Sequence, residues 1–558
     1  MNQQTVIYPA RLVRTMDPAR PVATAIAVRD GLVRAVGSVE ELCRYPDTMI
    51  DGRHADKVLL PGFVEAHAHA GSASVWEGQV YVGYFGRTDP DGKHWPGCTN
   101  TKAVLERLRE AEAVLADPGT PLLAWGLDNI YFPDSRLLSR ELDAISATRP
   151  IKVGHANGHV AVVNSAVLAA AGIDTASRVE GVERYPDGTP NGELREFAAM
   201  GLVAHLFGDH ASAITPRTLN QFAQDAVNRG VTTITDLGST GLDTAEGRAP
   251  FADVIGEDFP VRLSVFQLGV GLGTGPAAAR LAEELAEARR HNTAKLRFGH
   301  VKLMLDGSIQ GFTARLLAPG YLGGQPNGMW NTTPEEFETA FTAFHRAGLL
   351  IHVHCNGDEA SELFLDTLEK VLTKHPRPDH RHTITHSQLT TQAQYRRAAA
   401  LGACANIFSN HLWTWGDQHA DAILGWDRAA RMNAARSALR AGVPISLHCD
   451  VPVTELHPLK TMKHAVTRLA PSGRVLGEFE RITAEEALHA VTLGAAYMLK
   501  MDGEVGSLEA GKRADVAILE RDPLTVDPEA LGEIRVAGTM VGGRHHAAKR
   551  GAMENEAL

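Results

Sequence analysis

The chain has 558 residues, 44% of them hydrophobic and 22% charged, and a formal net charge of −11 at pH 7. This length accommodates an α/β barrel with a satellite domain, and the composition is that of a globular enzyme. The negative charge argues against nucleic acid or an anionic membrane as a partner, and no apolar run is long enough to span a bilayer. We therefore expect a small-molecule substrate, with no nucleic-acid and no membrane partner.

The cysteines and the N-terminal residues predict the compartment. The cysteines are few, odd in number and widely spaced: Cys43, Cys98, Cys355, Cys404 and Cys449. This usage suits a reducing environment better than a disulfide framework. The N-terminus lacks a basic segment followed by an apolar segment and a small-residue cleavage site, so a cytoplasmic location is expected.

Both ends of the chain are rich in short β-type runs. Residues 1–60 hold several such runs and an Asp30-Gly31 turn, and residues 500–548 hold further ones. Each set is too small to bury a core alone. We therefore predict a composite β-sandwich domain built from 1–60 and 500–548, flanking a central domain of residues 61–499.

Within the central domain, apolar β-type runs alternate with helical segments, as a parallel α/β fold requires. The first run ends at Val64, and seven more follow it: 231–238, 261–269, 298–308, 349–357, 382–388, 404–411 and 443–453. Eight β/α units predict a (β/α)8 TIM barrel, with a long insertion of about residues 71–215 after the first strand as a substrate lid.

Polar side chains at the ends of these runs predict a metal site. His67 and His69 alternate in a way that places both on one face of an extended chain. An isolated pair of this kind is weak evidence, but later runs carry matching residues: Lys302, His352, His354, His386 and Asp450. Charged or imidazole groups in apolar runs are costly unless they are paired or bound to metal.

These residues lie in motifs that resemble the amidohydrolase superfamily and, more narrowly, its amidohydrolase-3 group, which includes YtcJ-like proteins and N-substituted formamide deformylases. The resemblance covers nearly the whole chain. The motifs that carry it are PGFVEAHAHA (61–70), WGLDNIYFPDSRLLSRELD (125–143), HANGHVAVVNSAVL (155–168), PNGELRE (190–196), VKLMLDGS (301–308), HVHCNGDEA (352–360), THSQ (385–388), CDVPV (449–453) and GSLEAGKRADVAIL (506–519).

The resemblance implies a ligand set for one or two divalent ions, with zinc expected. Lys302 would be carboxylated by CO2 and would bridge the ions, and His352 would lie one layer deeper, behind the ligands. The implied ligands are His67, His69 and Asp450 for one ion and His354 and His386 for the other. Metal-activated hydroxide would attack the substrate while Asp450 acts as general acid and base. The expected reaction is hydrolysis of an amide-type C–N bond in an N-acyl or N-formyl amine or a cyclic amide.

Substrate contacts are expected from the insertion and the loops. His159 either contacts the tetrahedral intermediate or braces the lid, and Glu196 is either a neighbour of the ligands or part of a surface salt bridge. Asn157 stands where the family usually has aspartate, and Phe312 where relatives commonly have arginine, which favours a less anionic substrate group there. Trp413 is a candidate to line the pocket.

Other readings of the same barrel remain open. Deaminases often have a glutamate three residues after the fifth-strand histidine and lack the fourth-strand lysine, whereas this chain has Gly357 and Lys302. Lactone or carbamate hydrolysis needs the same groups, and a metal-assisted decarboxylase or a non-enzymatic scaffold is a more distant alternative. A homodimer is expected because members of the superfamily are frequently dimers.

Overall fold

The structure is a computed structural model that describes residues 4–207 and 214–549. The last part of the predicted lid, residues 208–213, lies outside the described residues. Within the described ranges, none of the helices is both long and apolar enough to cross a bilayer.

The central sheet consists of parallel strands whose spatial order follows the chain. Among the described residues it contains eight: Phe63–Glu65, Val231–Ser239, Arg262–Gly269, Leu296–Met304, Leu350–Cys355, Thr383–His386, Cys404–Ile407 and Ile445–Leu447. All eight fall on the predicted runs. The predicted (β/α)8 barrel is therefore confirmed.

Helices cover the barrel sheet and make its strands buried on both sides, which explains why the strands are continuous apolar runs. Thr333 shows how these helices begin, because it caps its helix through a reciprocal capping box with Glu336. The helices that connect or follow barrel strands are Pro216–Asn228, Ala245–Ala252, Ala277–Ala288, Pro334–Arg346, Asp358–Lys374, Gln392–Leu401, Ala435–Ala441, Pro458–Thr467, Ala484–Ala490 and Leu493–Met498. The shorter helices in the loop after the seventh strand are Asn410–Thr414, Gly416–Gln418 and Trp426–Ala429, with a π-helical turn at His419–Ile423.

The two ends of the chain meet in one mixed sheet. Val58–Pro61 pairs in parallel with Thr5–Arg14 and antiparallel with Val516–Leu519. The other strands of this sheet are Val22–Arg29, Leu32–Gly37, Thr48–Ile50, Val536–Val541 and Arg544–Ala547, and the helix Val39–Leu42 lies against it. The division of the chain into domains stays a prediction.

The chain passes from this terminal sheet to the barrel at Gly62. A β-carbon at Gly62 would lie 2.0 Å from Thr232 Oγ1, so only glycine allows the two strands to approach so closely. The Pro61-Gly62 break is thus the point at which one strand of the terminal sheet ends and the first barrel strand begins.

The insertion after the first barrel strand has its own sheet and core. Its strands are Val80–Tyr81, Leu122–Leu127, Ile151–His155, Val160–Val163, Val182–Arg184 and Pro190–Arg195, and Arg87–Thr88 pairs separately with His94–Trp95. Its helices are Thr101–Ala113, Ser139–Asp143, Ser165–Ala170 and Glu196–Ala204. Short 3₁₀ turns, inside and outside the insertion, are Gly52–His54, Ala70–Trp76, Asn129–Tyr131, Arg289–His291, Leu322–Gly324, Glu478–Glu480 and Pro528–Glu533.

Candidate metal centre

Asp450 is the centre of the polar cluster at the carboxyl ends of the barrel strands. Its Oδ1 lies 3.2 Å from His67 Nε2 and 3.3 Å from His69 Nε2, and its Oδ2 lies 3.6 Å from His386 Nδ1. Candidate ligand atoms of His67, His386 and Asp450 all lie within 4.8 Å of one another. Burial alone would raise the pKa of Asp450, but the neighbouring imidazoles hold it well below its usual range.

His67 and His69 follow the first strand, which ends at Glu65, instead of lying in it. Both side chains nevertheless point toward Asp450. They do so from the segment after the strand and not, as predicted, because they alternate along a strand. His67 is buried, whereas the side chain of His69 is 33% exposed, so the cluster reaches solvent on the His69 side.

Two residues of the cluster have strained backbone. His386 and Asp450 have φ values of +69° and +54°, in the left-handed region that favours glycine. Strain of this kind persists only where the surrounding structure holds it, and it is concentrated at functional sites. At both positions it lies where a barrel strand has just ended and the side chain turns toward the cluster.

Lys302 brings an unpartnered amine to the cluster. Its side chain is 1% exposed, and Nζ has no hydrogen-bond partner among the described residues. Burial lowers the pKa of Lys302 to about 7, so much of the amine is neutral near neutral pH. An orphaned, neutral amine beside imidazoles and a carboxylate fits a residue that becomes a ligand after carboxylation.

His354 lies beside the cluster but is not part of its compact core. Its ring centroid is 4.4 Å from that of His386. Its Nε2, however, lies 3.1 Å from the carbonyl oxygen of Gly307 and 3.1 Å from Asn356 Nδ2. The predicted second ion would therefore require His354 to exchange these contacts for a metal ligand bond.

Residues 55–546 match the sequence profile of the amidohydrolase family. The chain belongs to the amidohydrolase family. It is 28% identical to Protein LONG AFTER FAR-RED 3 of Arabidopsis thaliana over 95% of this chain and 89% of that protein. It is 25% identical to the putative amidohydrolase YtcJ of Bacillus subtilis (93% and 95% covered) and 26% identical to the N-substituted formamide deformylase of Arthrobacter pascens (95% and 96% covered).

The fold comparison agrees with this assignment. An uncharacterized metal-dependent hydrolase from Pyrococcus horikoshii superposes with a TM-score of 0.69 at 18% identity, covering 94% of this chain and 99% of that one. Together, the family match and the relatives confirm the predicted placement in the YtcJ-like amidohydrolase-3 group, and family membership makes the chain a hydrolase.

The insertion of this amidohydrolase delivers His159 and Glu196 to the barrel mouth. His159 Nδ1 lies 2.8 Å from Glu196 Oε2, and its ring centroid lies 4.9 Å from that of His354. Burial would lower the pKa of His159, but Glu196 raises it above its usual value. Glu196 is only 2% exposed and also accepts a hydrogen bond from Asn331 Nδ2 at 2.7 Å, so the surface salt bridge considered for it is wrong.

Of the other predicted substrate contacts, Asn157 lies beside His159, whereas Phe312 and Trp413 make their contacts elsewhere. Asn157 accepts a hydrogen bond from the His159 backbone N–H at 2.9 Å and donates one to Ser308 Oγ at 3.1 Å, so it holds the insertion on the fourth-strand loop. Phe312 packs on Tyr321 with ring centroids 5.2 Å apart, in a separate hydrophobic cluster. Trp413 stacks on His464 at 5.8 Å with nearly parallel rings.

Glu65 is a functional residue that the sequence reasoning missed. Its carboxyl oxygens accept the backbone N–H of His67 and that of Cys449, each at 3.0 Å, and so join the first barrel strand to the eighth. Burial raises the pKa of Glu65 to about 8. The only signal in the sequence was an acidic residue inside an apolar run, two positions before the first histidine.

Asp306 and His448 were also missed. Asp306 accepts backbone N–H groups of Asn356 and Gly357 at 3.0 and 2.8 Å and thereby fixes the loop after the fifth strand; burial raises its pKa to about 7. His448 is fully buried, with its ring centroid 4.7 Å from that of His67 and both ring nitrogens unpartnered among the described residues. Burial lowers its pKa to about 3, so it is neutral.

Proposed function

We propose that this amidohydrolase is a metal-dependent enzyme that cleaves an amide-type C–N bond in an N-acyl or N-formyl amine or a cyclic amide. The observation that carries the proposal is the buried cluster in which three histidines surround the Asp450 carboxylate while Lys302 presents a free amine beside them. The similarity to the N-substituted formamide deformylase of Arthrobacter pascens supports the choice of bond.

The donor set fits a divalent ion, and zinc is the ion that imidazole and carboxylate ligands favour. The residues that would hold one or two ions are His67, His69, Lys302 in carboxylated form, His354, His386 and Asp450. When bound, the metal supplies Lewis acidity toward the substrate carbonyl and lowers the pKa of water. His386 Nδ1, which lies 3.6 Å from Asp450 Oδ2, has no hydrogen-bond partner within the described ranges and is an atom that such an ion would satisfy.

Side chains of the protein itself provide proton transfer and substrate binding. Among the described residues, Asp450 is the only carboxylate in the compact cluster, so it takes the proton of the attacking water at a carboxylate oxygen and passes it to the leaving nitrogen. His159, held by Glu196, faces the same mouth from the insertion and is placed to donate a hydrogen bond to the substrate. The substrate reaches the cluster from the side of His69, whose side chain is partly exposed to solvent.

Carboxylation of Lys302 is part of the proposal and has its own test. The neutral amine attacks the carbon of CO2: a C–N bond forms, one C–O π bond breaks with its electrons passing to oxygen, and one proton leaves the nitrogen, which gives a carbamate anion in place of the neutral amine. Intact-protein mass spectrometry of protein kept in bicarbonate is expected to show the mass of one added CO2, and Lys302→Met is expected to lack it.

Asp450→Asn tests the mechanism. We expect this variant to keep much of its bound metal while turnover falls by about 10²–10⁴-fold, because the amide cannot accept and return the proton. Metal content by elemental analysis and hydrolysis of formamides, N-acyl amines and cyclic amides are the measurements, with the exposed Asp187→Asn as control. Wild-type turnover in Asp450→Asn would exclude the assigned role.

The substrate panel also separates the alternatives. Activity that chelator abolishes and zinc restores is expected on at least one amide class. Release of ammonia from amino-heterocycles, or cleavage of lactones or carbamates alone, would replace the amide proposal by one of those reactions. A purified protein that binds no divalent metal would favour the scaffold.

A further inference from the structure

A large cavity lies beside the candidate metal centre, between the insertion and the loops after the seventh and eighth barrel strands. Its volume is about 1110 Å³, which is ample for a drug-sized molecule. None of the predicted metal ligands lines it among the described residues. Val453 does, and its backbone N–H donates to the carbonyl oxygen of Asp450 at 2.7 Å, so the cavity wall and the candidate ligand Asp450 belong to the same turn of the chain.

Aromatic rings form two walls of the cavity. On the insertion side, Tyr84 and Tyr131 stack with centroids 4.2 Å apart and an interplanar angle of 17°. On the barrel side, Trp413 stacks on His464 with an interplanar angle of 2°. The hydroxyl of Tyr131 donates to the carbonyl oxygen of Thr414, which ties the two walls together. Flat, fixed aromatic faces favour a planar ring as ligand.

The cavity also holds cations that lack a carboxylate partner. Arg87, Lys463 and Arg535 line it, and none of the three forms an ion pair with any residue in the described ranges. Arg87 is buried; its guanidinium donates to the carbonyl oxygen of Pro452 at 2.5 Å and lies 5.2 Å from the Trp125 ring. Arg87 shares the negative charge of Glu455 with Lys460 and Arg229, so a further anion in the cavity would stabilise the buried guanidinium.

The carboxylates in the cavity wall do not cancel this charge. Burial would raise the pKa of Glu455, but Lys460, Arg229 and Arg87 lower it to about 2, and Glu455 pairs with Lys460 at 2.9 Å, so one negative charge faces three cations. Asp128 accepts a hydrogen bond from Trp415 Nε1 at 3.0 Å, and burial raises its pKa well above the usual value, so it carries little negative charge. Glu533 and Arg535 are both exposed at the rim, so neither changes the charge balance of the interior. The interior of the cavity therefore has an excess of positive charge.

We propose that this cavity binds the part of the substrate remote from the scissile amide, and that this part is a planar aromatic group carrying a carboxylate. The inference deepens the proposed function and rests on it for the word substrate. It also places anion recognition on the insertion and the eighth-strand loop, whereas Phe312 leaves the fourth-strand loop apolar.

Binding of 2-naphthoate to the full, chelator-treated chain tests the cavity without catalysis and without a metal that could hold the carboxylate. Calorimetric titration is expected to show binding of 2-naphthoate and at least tenfold weaker binding of 2-naphthylmethylamine, which has the same ring and the opposite charge. Trp413→Ala is expected to weaken binding by about tenfold, as loss of an aromatic face does, and Lys463→Met by a similar factor. The controls Trp426→Ala and Lys370→Met change exposed residues outside the cavity and should leave binding unchanged.

The failures of the two proposals can be told apart. Absence of 2-naphthoate binding, equal binding of the amine, or affinities unchanged in both cavity variants would overturn the cavity proposal even if amides are hydrolysed. Binding that follows the predicted order in a protein without amide hydrolysis would leave the cavity proposal standing as a ligand site and would refute the proposed reaction.

Discussion

Lys302 shows at the scale of one residue why this site requires a further group. Its amine is buried and forms no hydrogen bond with any residue in 4–207 or 214–549, and its neighbours along the strand are apolar. A buried polar group without a partner costs free energy that the fold must recover elsewhere. Such a cost is retained where the group has a function, which is the role we assign to it as a carboxylated ligand.

Lys302→Met is therefore expected to stabilise the metal-free protein, by about 1–3 kcal/mol, because methionine fills similar space without the amine. Chemical denaturation of chelator-treated wild type and variant measures this difference. Added zinc should raise the stability of the wild type, since it binds only the folded state, and should raise that of the variant much less. A metal-free variant less stable than the metal-free wild type would contradict this account.

At the scale of elements, the side chain of Glu65 joins the first and eighth barrel strands. Glu65 accepts backbone N–H groups from both sides, and the Asp450 N–H donates to the His67 carbonyl oxygen at 3.2 Å nearby. These contacts set the distance between His67 and Asp450, which belong to different ends of the chain. Glu65 is thus a positioning residue for the cluster.

Glu65→Ala is expected to lower the free energy of unfolding by about 1–3 kcal/mol and to weaken zinc binding, because two buried N–H groups lose their acceptor. Denaturation and competitive zinc titration are the measurements. Glu65→Gln, which keeps one acceptor oxygen, should recover part of both losses, and the partly exposed Glu520→Ala is the control. Zinc affinity unchanged in Glu65→Ala would remove its positioning role.

Another element-scale feature is a chain of buried histidines at the opposite end of the barrel. His345 Nδ1 lies 3.0 Å from His382 Nε2, and His380 Nδ1 accepts the backbone N–H of His382 at 2.9 Å. Burial lowers the pKa of His380 to about 4, and it also lowers those of His345 and His382. All three are neutral in the folded protein near pH 7.

This cluster predicts acid lability between about pH 6.5 and pH 4. In that window the unfolded chain binds protons that the folded histidines do not, so stability is present above pH 6.5 and is lost as the pH falls, by on the order of 1 kcal/mol or more for His380. Unfolding free energies measured across this range should decline less steeply in His380→Asn than in the wild type. Identical slopes would show that other groups control the acid transition.

At the scale of the whole molecule, the barrel and the terminal sheet are joined by a buried ion pair. Arg262 begins the third barrel strand and donates to both carboxylate oxygens of Asp515, at 2.6 and 2.9 Å. Asp515 Oδ1 also accepts the Gly542 N–H at 2.7 Å. Both charged side chains are almost completely buried.

Asp515→Ala is expected to cost about 3–5 kcal/mol of stability, because it leaves the Arg262 guanidinium buried without its partner. The double variant Arg262→Met with Asp515→Leu should recover much of that loss, since the isolated charge is removed as well. Denaturant titration measures both, with the exposed Asp56→Ala as control. A loss below about 1 kcal/mol in Asp515→Ala would contradict the role of the pair.

The expected homodimer also belongs to this scale and stays a prediction. Light scattering coupled to size-exclusion chromatography tests it directly, because a dimer of this chain has twice the mass of 60.0 kDa.

Much of the fold was predictable because strands buried on both faces must be apolar along their whole length. The eight barrel strands could be read for that reason, and Lys302, His386 and Asp450 stood out because polar groups inside such runs are costly. The family motifs then gave the candidate ligands. All of this information is local, since it depends on residues within a few positions of one another.

Contacts between distant segments were decided only by the tertiary structure. Hydrophobic pattern records that Glu65 or Asp306 is buried but not which backbone N–H groups it accepts, and Glu196 could be placed beside His159 only once the insertion was folded onto the barrel. The cavity walled by Tyr84 and Trp413 joins segments more than 300 residues apart. The sequence by itself determined an amidohydrolase barrel and predicted its metal ligands; the shape and charge of the space beside the candidate metal centre arose from packing, which no local pattern encodes.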